Sequence, residues 1–177
     1  MPRRRARLPR RRIAVTLAVL ATGTGLAACG SDQESTYADG WDSVCRGVGG
    51  ALSTFRTDAS TAATTSPDAG DAEVIAGTRA ASVSADLLAP AKALQTALDR
   101  QFDAARRLDP PSRWAAWHAT ELRTIAARRS AVADGVRRLQ GGDPDALPLL
   151  AVGSVGPSAV DAPADLRDKT PDCTVLR

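Results

Sequence analysis

Few residues in this 177-residue chain are suited to nucleophilic, metal-binding or acid–base chemistry: one histidine, His118, three cysteines, Cys29, Cys45 and Cys173, and Glu121, three positions beyond the histidine. A Ser-His-Asp or Cys-His reading must pass through His118, and no Gly-x-Ser-x-Gly elbow accompanies it. A carboxylate-bridged metal bundle uses Glu-x-x-His pairs on two helices plus further glutamates. Here the order is reversed, there is one copy, and beyond residue 28 the only glutamates are Glu34, Glu73 and Glu121. The pattern therefore points away from an enzyme and from a metal or other cofactor. Trp114 and Trp117 stand beside His118. Aromatic rings with a polar edge serve binding surfaces as well as cores. Two uses stay open for Trp114, Trp117 and His118: filling one end of an alanine-rich core, or contacting a ligand or partner.

The N-terminus carries a different chemistry. Seven arginines (Arg3, Arg4, Arg5, Arg7, Arg10, Arg11 and Arg12) precede an apolar run from Ile13 to Leu20 and small residues from Ala21 to Gly25. That run is shorter than the ~20 apolar residues of a permanent membrane helix and fits a signal peptide. It closes on Leu26-Ala27-Ala28-Cys29-Gly30, which resembles the lipobox of bacterial lipoproteins. The resemblance implies cleavage before Cys29 and a diacylglyceryl group on its sulfur. Two acyl chains anchor stably, at ~0.8 kcal/mol per buried methylene. The adjacent arginines are compatible with either the general or the twin-arginine export route.

With Cys29 assigned to lipid, Cys45 and Cys173 remain as an even pair in an exported chain, where disulfides persist. A Cys45–Cys173 bridge is expected, and the chain-entropy model assigns such a long loop at most about 5 kcal/mol. Charge also changes on cleavage. The full chain has 23 basic and 20 acidic residues; seven of the arginines lie in residues 1–28 with no acid, so the remainder holds 16 basic residues against 20 acidic and nets −4. Nucleic-acid binding needs clustered basic charge on the folded domain, so no nucleic-acid partner is expected.

The elements that position these residues read as helices. Tyr37, Trp41, Val44, Val48, Leu52 and Phe55 recur every three or four residues, with Cys45 beside them. Gly47, Gly49 and Gly50 weaken that helix by up to about 1 kcal/mol each, with close approach of a neighbouring backbone as the expected benefit. Residues 57–72 read as a loop. A second helix is expected from Ala72 to Leu108, with Val83, Leu87, Ala91, Leu94, Leu98, Ala105 and Leu108 inward and a disturbance at Pro90. A third, capped by Ser112, runs from Arg113 to Gln140 with Trp114, His118, Leu122, Ile125, Arg129, Val132, Val136 and Leu139 on one face, and Gly141-Gly142 ends it. Arg129 in that stripe either pairs with an acid of a neighbouring helix or marks a turn toward solvent, the latter being favoured because a buried unpaired arginine is costly, and the paired arginines at 106–107, 128–129 and 137–138 read as charged helix faces. Prolines and glycines cut residues 143–168 into a fourth, broken element, with pieces at 145–152 and 158–168. The expected fold is all-α: an antiparallel bundle of three long helices plus a broken fourth element, tied by one disulfide. Residues 1–28 form the signal peptide, 29–36 a lipid-anchored tether and 37–177 the bundle.

The overall plan is similar to small helical lipoproteins of actinomycetes. The matching features are the lipobox, Tyr37 or Trp41 followed by Cys45, Leu108-Asp109-Pro110-Pro111 before the helix of His118, and the closing Pro171-Asp172-Cys173. Twenty-one arginines against two lysines suit the GC-rich genomes of that group. The resemblance brings no catalytic residues. It implies a cell-membrane lipoprotein on the extracytoplasmic face, of a group without an assigned molecular function; the expected anchor and bridge, the single domain and the lack of reactive clusters point to a non-enzymatic interaction or accessory module for an envelope protein. The alternative is a receptor for a small ligand near Trp114, Trp117 and His118.

Overall fold

In the computed structural model, helix α1 spans Cys29–Thr65 and buries Tyr37, Trp41, Val44, Val48 and Leu52 along the stripe that their spacing predicts. The structure describes residues 29–65, 72–153, 155–159 and 161–176. Residues 1–28, expected to be a signal peptide, lie outside these, as does the side chain of Cys29.

Helix α1 exceeds the expectation at both ends. Residues 29–36, expected as a tether, are helical and attached to the bundle. Glu34 pairs with Arg113 at 2.7 Å and with Lys169 at 2.9 Å, and Gln33 donates to Asp109 at 3.4 Å. Residues 57–65, expected as the start of a loop, continue the helix. The hydroxyls that might compete with the helix bond back into it: Thr57 Oγ1 donates to the Ser53 carbonyl at 3.1 Å and Ser60 Oγ to the Thr57 carbonyl at 2.8 Å. Ala62 then buries against the bundle. Residues 66–71 lie outside the described residues.

Helix α2 spans Ala72–Ala105 and runs through Pro90. It buries Leu87, Ala91, Leu94, Leu98, Phe102 and Ala105; the side chain of Val83 is outside the described set. It ends three residues before the expected Leu108 because the chain tightens: Arg107 N–H bonds the Ala104 carbonyl at 3.0 Å and Leu108 N–H that of Ala105 at 3.2 Å. Ser112 does not cap the next helix. After Pro110-Pro111 the chain makes a 3-10 turn, Ser112–Trp114, opened by Trp114 N–H on the Pro111 carbonyl at 2.9 Å. Helix α3, Ala115–Gln140, follows and stops where Gly142 takes a φ of 80°.

The broken fourth element is a chain of short pieces: 3-10 turns at Pro144–Leu150, Gly156–Ser158 and Pro171–Leu176, with the single-turn helix α4, Ala164–Arg167, between the last two. It leads from α3 back to α1 and fills the place of a fourth helix. Three residues of one α1 turn hold its end. Cys45 bridges Cys173, with Cα atoms 4.9 Å apart and a separation of 128 positions in sequence. Arg46 Nε donates to Asp172 at 3.0 Å, and Asp42 accepts the Asp172 backbone N–H at 3.1 Å. The fold is therefore all-α and tied by the expected disulfide.

The long helices alternate in direction. Gly40 meets Leu108 and Gly47 meets Gln101, so α2 descends as α1 ascends. Arg129, read as solvent-facing, instead binds Asp99 at 2.8 Å and Asp103 at 3.1 Å on α2. These half-exposed pairs each contribute about 0–1 kcal/mol, yet they match the register of α2 and α3. No described helix is long and apolar enough to cross a membrane.

Candidate functional site

Trp114, Trp117 and His118 converge where α1 and α3 face each other, because Tyr37 and Trp41 of α1 project into the same space. Tyr37 lies 5.5 Å from Trp114 and 5.7 Å from His118, ring centre to ring centre; Trp41 lies 5.6 Å from Trp117 and 6.0 Å from His118. Most contacts are edge-on, the geometry aromatic quadrupoles favour. Trp114 is 1% exposed and His118 5%, while Trp117 is half-buried. A small ligand at Trp114 and His118 would have to displace this packing. The arrangement favours the core-filling use of the cluster.

Polar groups inside the cluster are bonded to each other. The Tyr37 hydroxyl and His118 Nδ1 share a 2.8 Å hydrogen bond. Burial holds the His118 imidazolium below its ordinary pKa and pushes the Tyr37 phenol up to about 12. The Trp41 indole N–H offsets part of the tyrosine rise without reaching hydrogen-bonding geometry. Glu121 is also buried, and burial raises its pKa, although the Gly156 backbone N–H, 2.7 Å from Oε1, pulls the other way. Gly156 adopts φ of 60°, and a Cβ there would enter the Trp41 ring. Glycine alone lets this turn lie against the indole and reach Glu121. Glu121 thus fastens the 155–158 turn to α3, and His118 is tied to Tyr37. Among the described residues, no group of three or more His, Cys, Asp or Glu side chains could hold a metal ion. Three buried donors, Trp41 Nε1, Trp117 Nε1 and Arg128 Nη1, lack a partner among the described residues.

Above Trp114 lies an ionic lid. The Arg113 guanidinium sits 4.4 Å from the indole centre and pairs with both Glu34 and Asp165, at 2.7 and 3.0 Å. The indole N–H reaches Asp165 at 3.4 Å. This half-exposed network joins α1, the 3-10 turn and α4 over the aromatic rings.

A second feature lies farther along α1. A groove of about 490 Å³ opens between α1 and the C-terminal 3-10 turn, beside Cys45. Its α1 wall includes Gly49, Gly50 and Arg56. The expectation that the glycines admit a neighbouring backbone is not met. Gly47 makes room for the Gln101 side chain, a Cβ on Gly49 would meet only Leu176, at an ordinary 3.6 Å, and a Cβ on Gly50 would meet nothing within 4 Å. The sequence reading assigned no role to Arg56 or to the Asp42–Arg46–Asp172 latch. The available signal was the cost of glycines in a helix interior. Compared with protein-family models, curated proteins and solved structures, the chain matches none of them.

Proposed function

We propose that this chain is an extracytoplasmic lipoprotein. A diacylglyceryl group on Cys29 would hold it to the outer face of the cytoplasmic membrane, and its bundle would serve as a non-enzymatic interaction or accessory module for another envelope protein. The observation that carries the reading is the Cys45–Cys173 bridge. Disulfides form and persist in exported proteins. The bridge uses two of the three cysteines, and the third closes Leu26-Ala27-Ala28-Cys29 behind a basic, apolar leader. Two acyl chains suffice for stable anchoring. The absence of an enzymatic role is supported by the tie between His118 and Tyr37 inside the core, which leaves the one imidazole of the chain without access to a substrate.

Native mass spectrometry of the protein, extracted gently from its own envelope, tests this. The expected species starts at Cys29, carries a diacylglyceryl mass and gains two protons on reduction. A co-migrating protein mass would identify the partner. An unacylated chain retaining residues 1–28 would overturn the anchor, and a co-purified small molecule with no protein partner would replace the accessory role with a receptor role.

A further inference from the structure

We propose that the groove beside Cys45 is a binding site for a single-chain amphiphile with an anionic head. The inference does not depend on lipidation of Cys29. Its volume of about 490 Å³ falls within the range of about 300–1,000 Å³ that small-molecule sites occupy. Leu52, Val152 and Leu176 supply an apolar lining, and the bare backbone of Gly49 and Gly50 keeps the α1 side open. A glycine inside a helix costs up to about 1 kcal/mol relative to alanine. At Gly40 and Gly47 that cost is matched by contact with Leu108 and Gln101, but Gly50 has no neighbour to accommodate. Of Gly40, Gly47, Gly49 and Gly50, the two without a crowding neighbour lie together on the groove wall.

Charge defines the head group. Arg46 and Asp172 both face the groove and neutralise each other. Arg56, almost three turns further along α1, is exposed and has no ion pair or hydrogen bond among the described residues. The groove therefore has a surplus cation at one rim and apolar side chains within, which complements an anionic head on an apolar tail. The lipid of Cys29 itself is not the occupant. At 1.5 Å per residue, Gly50 lies about 30 Å along α1 from Cys29, as far as the full hydrocarbon core of a bilayer, of which one acyl chain covers half.

The test is calorimetric titration of the oxidised chain from residue 29 to 177 carrying Cys29→Ser, which has neither the apolar leader nor a lipid and needs no detergent, with decanoate, decyl phosphate, decanol and acetate. Decanoate or decyl phosphate should bind saturably, and the tighter of the two identifies the head group. Arg56→Gln should weaken that binding about tenfold, as loss of one charge-assisted contact does, and leave decanol unaffected. Gly50→Leu, which fills open space, should abolish binding while the near-ultraviolet circular dichroism of the tryptophan cluster stays unchanged. Decanol binding as tightly as decanoate, acetate binding as tightly as decanoate, or no binding by any probe would overturn the proposal. So would Arg56→Gln or Gly50→Leu binding like the parent protein. Arg56 is exposed and unpaired, so its substitution tests the idea even if the leucine variant fails to fold.

Discussion

The two ends of the inward stripe of α1 are built to opposite plans. Around Tyr37 and Trp41 the stripe carries rings and meets further rings from the Ser112–Trp114 turn and α3, so ring packs on ring. Around Leu52 the stripe is flanked by Gly49 and Gly50 where the helix faces a short 3-10 turn, and a groove remains. The bridge and its Asp42–Arg46 latch sit between them. One continuous helix can therefore supply a rigid core at one end and an open surface at the other. What differs is side-chain volume and the regularity of the opposing segment.

Opening the bridge should break both ends at once. Replacing Cys45 and Cys173 together by alanine should lower stability to urea by up to about 5 kcal/mol, read as a lower midpoint against the oxidised parent. Next in size, Trp41→Ala at the closed end should cost about 3–5 kcal/mol, because it empties a fully buried ring site. Leu52→Ala, at the groove, should fall at or below the lower end of the 2–5 kcal/mol range for leucine truncation. Equal losses would show that the groove end is as tightly packed as the aromatic end. Thermal denaturation of glycine variants sharpens the contrast. Gly156→Ala should destabilise by about 1–3 kcal/mol through its positive φ and its collision with Trp41, whereas Gly50→Ala should be neutral or stabilise by up to about 1 kcal/mol.

The smallest expected effect is on pH dependence, which at the closed end works through His118 and Glu121. His118 has a depressed pKa in the folded state, so the unfolded chain binds its proton first, near pH 6.5. Its contribution should be intact above that value and be lost as pH falls toward the lower folded pKa. Glu121 acts oppositely: its folded pKa is raised, so its burial penalty is absent below pH 4.5 and grows as pH rises through the folded pKa. His118→Gln should flatten the decline in urea midpoint below pH 6.5. An unchanged slope would remove His118 from the account.

Helical periodicity made much of this fold legible. The stripe of α1 was readable because its large apolar residues follow the helical repeat without a gap. Phe102 carried the same signal, four residues after Leu98 and three before Ala105, and belongs with the buried face of α2. The extent of α1 was not readable. Glu34 and the threonine-rich stretch look solvated, and their helicity depends on Arg113 and Lys169 in one case and on bonds within the helix in the other. Glu121 reads as a surface carboxylate. Its burial depends on a backbone N–H from a turn 35 residues away.

The sequence by itself determined the helix-forming stripes, and it offered Cys45 and Cys173 as a pair once Cys29 is set aside, since each depends on residue type and local spacing. Tertiary structure alone decided that Trp114 and His118 are enclosed, that the acids opposite Arg129 are Asp99 and Asp103, and that Arg56 faces a groove whose one acid, Asp172, is already paired with Arg46. Burial and charge pairing depend on which distant segment arrives opposite a residue. In a chain whose fourth element is broken into short turns, no sequence period specifies that arrival.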